Sequence, residues 1–367
     1  MTANMTSRER FVRVLTGKDV DRVPFMKIFG GTNWVVSKWL DHYPLLNSYI
    51  DELLGFEGRN RGWERTPVNT RLCGTPPDVL VYKSETEKHI RQGDGSLMIQ
   101  MDRDGHHFNH VAEYPVKNSD DWQRIKENWM DPDDPMRFPK GWKHYIDIYS
   151  ARDYPLYLFS DGVYGFVRKL FGDEALGFMF YDDPELVADI IETYINMCIA
   201  IWKKMIPDIQ FDIIACWEDM AYKAGSIISK IHFDTFIAPQ YRKIRDFAGN
   251  AGIPLILVDS DGNIMELAKW MFEAGVNCMY PFEVQSGNDI PHIRRALPHM
   301  GCIGGLDKEC MAYGKNEMDA ELEKARRLIP LGRFIPGPDH LALENVPFEN
   351  YEYFMRGLKR VVMETEL

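Results

Sequence analysis

The 367-residue sequence predicts an α/β protein: one (β/α)8 TIM barrel with an N-terminal extension and a β-hairpin insertion. Three observations predict it. Short, continuous apolar runs alternate with helical patterns, as buried parallel strands alternate with crossover helices. The runs end in charged residues, which a barrel gathers at one mouth. The glycine-rich GxGxxG turn expected early in an open dinucleotide-binding sheet is absent.

The elements follow in order. Thr6-Ser7-Arg8-Glu9 has the form of a helix start. Val23 to Phe29 reads as a strand, and the least distinct strand is placed near Val68 to Leu72. Residues 85–115 break the pattern; Gln92-Gly93-Asp94-Gly95-Ser96 is a turn signal between alternating segments, so a hairpin is expected there. Tyr157 to Phe159 is a strand, followed by Asp161. Asp183-Pro184-Glu185 opens a helix with apolar residues at helical spacing from Val187 to Met205. Phe211 to Ala215 runs into Cys216-Trp217-Glu218-Asp219, and Leu255 to Val258 into Asp259-Ser260-Asp261-Gly262. A helix from Ile264 to Glu273 stops at Gly275. Val276 to Phe282 ends in Glu283, and Cys302 to Leu306 in Asp307-Lys308. After a helix over Met318 to Leu328, Phe334-Ile335 leads into Pro336-Gly337-Pro338-Asp339-His340. A last helix covers Asn350 to Val362. No linker or repeat divides residues 1–367, so one domain is expected.

A formal charge of −12 disfavours nucleic acid and anionic membrane as partners. Arg242-Lys243 and Arg294-Arg295 read as solvated helix faces. No run reaches the roughly 18 apolar residues of a membrane span. The six cysteines, at 73, 198, 216, 278, 302 and 310, have no paired spacing. With no export signal, they read as reduced thiols of a cytoplasmic protein.

In a barrel the carboxyl ends of the strands face the working site. Asp161, Glu218, Asp219, Asp259, Asp261, Glu283, Asp307, Lys308, Asp339 and His340 all fall at such ends. One strand-end aspartate reads equally well as a helix cap. Many converging carboxylates need a cation or protons to coexist. Asp259 and Asp261, two residues apart, can point the same way, although Asp261 also suits a cap for the helix near Ile264. A calcium loop is excluded because Ile264 stands where that loop needs glycine. His106-His107 reads as surface.

These residues, in this order, resemble the uroporphyrinogen decarboxylase superfamily. The likeness runs through Arg8-Glu9-Arg10, Asp21-Arg22-Val23-Pro24, Asp212 to Asp219, Gly304-Gly305-Leu306-Asp307 and Gly337 to Pro347. It implies a (β/α)8 barrel and one of two activities: decarboxylation of a tetrapyrrole precursor, or zinc-assisted methyl transfer to a corrinoid. The decarboxylases carry MRQAGR after the first strand, where two arginines hold substrate carboxylates. Here Met26-Lys27-Ile28-Phe29-Gly30-Gly31 replaces those arginines with Lys27 and Gly31. His340 matches the histidine of that branch's GHG motif. The methyltransferases carry HxCGN where this chain has Asp259-Ser260-Asp261-Gly262-Asn263, and a late cysteine ligand close to Asp339-His340.

The resemblance therefore implies a Zn2+ site of Asp259, Asp261 and His340, with Glu218 as the nearest reserve ligand. Glu218, Asp161, Glu283, Asp307 and Lys308 are the expected catalytic residues. Lys27, Trp217 and Tyr222 are the expected substrate-binding residues, and Trp34, Trp39, Trp217 and Tyr222 would form an apolar wall. The expected activity moves a methyl group from a small methylated donor, a methoxylated aromatic among the candidates, to a corrinoid-binding partner protein. The alternatives are a lyase that decarboxylates a small carboxylic acid and a non-catalytic binding barrel. A homo-oligomer is left open.

Overall fold

A computed structural model describes residues 5–29, 38–60, 62–103 and 106–366. Its strands, in chain order, are β1 Glu64–Arg65, β2 Val79–Lys83, β3 Glu87–Arg91, β4 Leu97–Arg103, β5 His106–Glu113, β6 Leu156–Ser160, β7 Ile213–Trp217, β8 Ala221–Tyr222, β9 Gly225–Ser226, β10 Leu255–Asp259, β11 Cys278–Tyr280, β12 Gly301–Leu306 and β13 Phe334–Pro338. Seven form one parallel sheet in the order β1-β6-β7-β10-β11-β12-β13. Chain order and spatial order coincide, with helices on the connections, which is the winding of a β/α barrel.

The eighth stave is packed rather than hydrogen-bonded into the ladder. Residues 23–29 are buried and lie between the two ends of the sheet. A Cβ on Gly62, just before β1, would sit 2.5 Å from Met26, and one on Gly337 in β13 would sit 2.5 Å from Ile28. The expected strand over Val23 to Phe29 is thus corrected to a stave outside the ladder. Pro24 lacks the amide a ladder needs. The expected strand near Val68 to Leu72 is also corrected. The ladder strand is β1, upstream of it, with Glu64 opposite Leu156. Beyond Pro67 the Asn69 side chain accepts the Arg71 amide at 2.8 Å, a turn that ends the extended run. The buried Arg137 guanidinium holds the Asn69 and Arg71 carbonyls at 3.1 and 2.8 Å.

The insertion is a four-stranded antiparallel meander, β2-β3-β4-β5, rather than a single hairpin. The turn at residues 92–96 joins β3 to β4 as expected, with Gly95 at φ 99°. The meander begins earlier than residue 85, because Val79-Leu80-Val81-Tyr82 forms an exposed edge strand.

Helix signals translate closely. Thr6 and Glu9 form a reciprocal capping box on Ser7–Thr16. Asp183 caps Pro184–Lys203, whose apolar stripe is buried. Met265–Ala274 closes on left-handed Gly275, and the last helix spans Phe348–Glu364. The charged residues near the N-terminus have structural work. Arg10 pairs with Asp21 at 2.6 Å and Glu57 at 3.1 Å, and Arg22 with Glu57 at 2.6 Å. Arg8 and Arg152 converge on Asp212, just before β7, at 2.8 and 3.0 Å. This network lies at the amino-terminal ends of the strands, the stability face of a barrel. Arg294 departs from the solvated-face reading: it is buried and donates to the Leu297 carbonyl at 2.6 Å. All six cysteines are free and buried. Among the described residues no helix is long and apolar enough to cross a membrane.

Candidate functional site

The half-buried positions of β6, β7 and β10 mark the lumen face. In β6, Leu156, Leu158 and Ser160 are buried against helices, while Tyr157 and Phe159 are half-buried. In β7 the half-buried positions are Ala215 and Trp217, and in β10 Asp259. The register places Phe159 beside Ala215, and Trp217 beside Asp259 beside Tyr280. Side chains two residues apart on a strand share a face, so these residues look into the mouth. Tyr280 lies 5.8 Å from the Phe29 ring and 5.7 Å from Trp63, and Phe29 stacks on His340 at 5.1 Å. The mouth is therefore walled by aromatic rings.

Three carboxylates converge there. Asp219, Asp259 and Asp261 each offer an oxygen within 4.8 Å of the others. The Tyr280 hydroxyl donates to Asp259 Oδ2 at 2.7 Å. Asp219 has φ 44°, a left-handed conformation uncommon outside glycine. This turns the chain back so that both the Glu218 and Asp219 amides donate to the Asp259 carbonyl, at 2.8 and 3.3 Å. Arg168 holds the Asp219 carbonyl at 2.7 Å and its carboxylate at 3.5 Å. Burial, then the charge of Asp261, push the Asp219 carboxyl above its ordinary range. Asp261 is not a helix cap: Asn263 accepts the Met265 amide at 3.2 Å, and Asn288 the Ile264 amide at 3.0 Å. Gly262 is required by shape, since at φ 81° a Cβ would sit 2.5 Å from the Ala221 carbonyl oxygen.

The geometry adds one carboxylate to the expected set. Asp259 and Asp261 come together as anticipated, and the third close carboxylate is Asp219. His340 stands one step outside, with Nε2 3.5 Å from Asp261 Oδ2. Its hydrogen bond to Asp261 raises the imidazole pKa against the opposing effect of burial.

Glu218 is corrected from reserve ligand and catalyst to a buried anchor. It accepts the amides of Val163, Tyr164 and Gly165 at 2.7, 2.7 and 2.9 Å, and the Tyr241 hydroxyl. These are the unpaired amides that open the helix Tyr164–Phe171. The approach is close: a Cβ on Gly165 would lie 2.2 Å from the Trp217 carbonyl oxygen. Burial raises the Glu218 pKa, and the four donors oppose that rise.

The remaining expected residues divide by position. Asp161 is buried at the rim and bound bidentately by Arg71 at 2.7–3.0 Å and by Lys169 at 2.8 Å. Glu283 pairs with Lys308 at 3.2 Å and accepts the Gly262 amide at 2.9 Å, which steadies the loop after β10. Asp307 is a turn residue, accepting the Glu309 amide at 2.9 Å and the Gln285 side chain at 2.7 Å. Lys27 is buried against Asp51, 2.5 Å away, and is corrected from substrate-binding to structural. Tyr222 is exposed on the β8–β9 ribbon, and its hydroxyl reaches Asp173 at 3.3 Å. Trp217 lies in the mouth between Arg168 and Lys169, whose charges sit 5.0 and 4.5 Å from its ring centroid. Trp39 belongs to the core, with its indole donating to the Val346 carbonyl at 2.8 Å. Trp34 lies outside the described residues. Sequence reasoning missed Phe29, Trp63, Phe159 and Tyr280 as walls. The available signal was period two: Phe159 stands two residues before Asp161, as Trp217 does before Asp219.

Asp339 is wholly enclosed and accepts the Val284 and Lys308 amides at 2.6 and 3.0 Å. Burial raises its pKa to about 6. Because the folded pKa exceeds the unfolded one, its contribution is complete below the unfolded value and is lost as pH rises through the folded value. Wild type should therefore lose about 2–3 kcal/mol relative to Asp339→Asn between pH 4 and 7. Urea unfolding of both across that window checks this; parallel curves would contradict it.

With this geometry in view, the relatives can be placed. A family model described as uroporphyrinogen decarboxylase (URO-D) matches residues 171–361, just over half of the chain. The chain belongs to that family. A solved methyltransferase from Methanosarcina mazei aligns over 98% of this chain and 99% of its own, with a TM-score of 0.59 and 15% identity. At that identity the likeness is one of fold. A protein from Listeria monocytogenes described as a vitamin-B12-independent methionine synthase aligns over 59% of this chain and 68% of its own, at 12% identity and a TM-score of 0.32. No curated protein matches the sequence.

Proposed function

We propose that this protein is a methyltransferase that takes a methyl group from a small methoxylated aromatic donor and delivers it to a corrinoid on a partner protein, assisted by a divalent cation. The observation that carries the reading is the Asp219–Asp259–Asp261 cluster, with oxygens within 4.8 Å of one another in an aromatic-walled mouth. Three anions so close require a cation or protons, and a cation satisfies all three. The donor set fits a divalent ion. Carboxylate oxygens suit hard cations and accept Zn2+, less selectively than thiolates.

Asp219, Asp259 and Asp261 would hold the ion, and Tyr280 and Arg168 would orient two of them. A bound ion would supply Lewis-acid stabilisation to the oxygen that loses its methyl group. Phe29, Trp63, Phe159 and Trp217 offer faces and edges for a flat donor and exclude water around it. His340, 3.5 Å from Asp261, can hold a proton beside the departing oxygen. Uroporphyrinogen decarboxylation is disfavoured: Lys27 is committed to Asp51, and the mouth carries an acidic wall that repels a polycarboxylate. The full-length likeness to the Methanosarcina mazei methyltransferase supports a barrel of this kind.

The test supplies purified protein with methoxybenzoates and reduced cobalamin, with and without chelator. Free phenol and methylated cobalamin are expected, lost on chelation and restored by Zn2+ or Mn2+. Coproporphyrinogen formed from uroporphyrinogen would overturn the reading.

A further inference from the structure

The acidic sector of the mouth, after β7 and β10, adjoins a basic one beside β1 and β6. Arg65 is the last residue of β1 and shares its face with Trp63, two residues earlier. It is register-paired with Tyr157, and its guanidinium lies 4.0 Å from the Phe159 centroid. Arg71 lies over the same ring at 5.2 Å. Asp161 neutralises Arg71 and also binds Lys169. Arg168 is taken by Asp219. Among the described residues, Arg65 makes neither a hydrogen bond nor a salt bridge. Arg71 and Lys169 thus share the Asp161 carboxylate and Arg65 stands without one, in a chain of net charge −12. Burial first, and then the neighbouring Arg71, lower the Arg65 pKa, against the smaller opposing effect of Asp161. Arg71, Asp161 and Lys169 also line a cavity of about 340 Å³ against the meander turn Gln92-Gly93-Asp94, a cavity that Arg65 does not line.

We propose that Arg65 binds a carboxylate on the substrate, so that the molecule held in this mouth is an aromatic acid rather than a neutral arene. The proposal rests on the reading that an aromatic donor occupies the mouth. The Arg65 guanidinium lies over Phe159 with its N–H groups uncommitted, and two parallel N–H groups match a carboxylate. Asp161 positions the wall by fixing Arg71 and Lys169. The substrate's two ends then meet neighbouring sectors of the mouth: its anion at Arg65 beside β6, its methylated oxygen toward Asp219, Asp259 and Asp261 after β7 and β10.

Calorimetric titration of the full-length protein tests this with 4-methoxybenzoate, benzoate, the isosteric neutral 4-methoxybenzamide, and inorganic phosphate. Wild type should bind 4-methoxybenzoate at least about tenfold more tightly than the amide. That preference should decline as NaCl is raised. Arg65→Met keeps an aliphatic stem on Phe159 and should abolish the preference while leaving amide binding unchanged. Arg65→Lys should keep part of it. Benzoate has no methyl group and should show the same dependence on Arg65. A failed methyl-transfer assay with this dependence intact would therefore sink the donor reading alone. The wild-type preference and its salt dependence need no variant, so a poorly folded Arg65→Met leaves the test standing. Equal binding of acid and amide by wild type, an unchanged preference in folded Arg65→Met, or phosphate displacing benzoate at equal concentration would overturn the proposal.

Discussion

Asp261→Asn is expected to weaken divalent-cation binding by about two orders of magnitude and to lower kcat/KM for methyl transfer by about three. Its thermal stability should barely change. Asp261 caps no helix, its side chain is 38% exposed, and among the described residues its ion-pair partner is His340. Replacing this carboxylate of the proposed ligand set by an amide removes a charge from the cluster and leaves the backbone intact. Asp259→Asn should have a similar effect on the ion and also disturb the hydrogen bond from Tyr280. His340→Gln should cost much less affinity, because His340 lies outside the three-carboxylate set. Zinc titration of the three variants beside wild type checks the order. If His340→Gln loses the ion as completely as Asp261→Asn, the histidine is a ligand and Asp219 is not the third member.

Glu218→Ala should be the most destabilising single change at this end of the barrel, by about 3–5 kcal/mol. It strands three helix-opening amides and the Tyr241 hydroxyl in a fully buried position. Glu218→Gln keeps one acceptor oxygen but turns an amino group toward donors, so roughly 1–3 kcal/mol is expected. Urea unfolding measures both. The folded fraction of either variant should bind the cation as wild type does. A stable Glu218→Ala that loses all activity would show that Glu218 meets the substrate.

The barrel was legible because buried parallel strands announce themselves as apolar runs that end in charge. The ends of β6, β7, β10, β12 and β13 could be read to within a few residues. The first stave was placed at residues 23–29 but not its lack of ladder pairing, and the second was placed too late. β1 has only two residues, too few for any pattern, and Pro24 keeps residues 23–29 out of the ladder. The short β1 also hid Arg65.

At the site, Asp259 and Asp261 were legible from their spacing at a strand end. Glu218 was misassigned because strand-end position was weighed without face. With Trp217 and Asp219 turned to the lumen, period two sends Glu218 to the helices. The approach of Asp219 to Asp259 and Asp261 was not legible, because it depends on a left-handed backbone at Asp219. The difference between Trp39 in the core and Trp217 in the mouth depends likewise on tertiary neighbours, Phe348 and Tyr351 for one, Arg168 and Lys169 for the other.

The most direct measurement of the central claim follows two labels in one molecule. 4-Methoxybenzoate carrying a CD3 ether methyl and a 13C carboxyl group is incubated with the metal-loaded protein and reduced cobalamin, and the products are read by mass spectrometry. The account predicts CD3 on cobalt and 4-hydroxybenzoate that keeps its 13C, both abolished in Asp261→Asn. Release of 13CO2 with the methoxy group intact would show a lyase and contradict it.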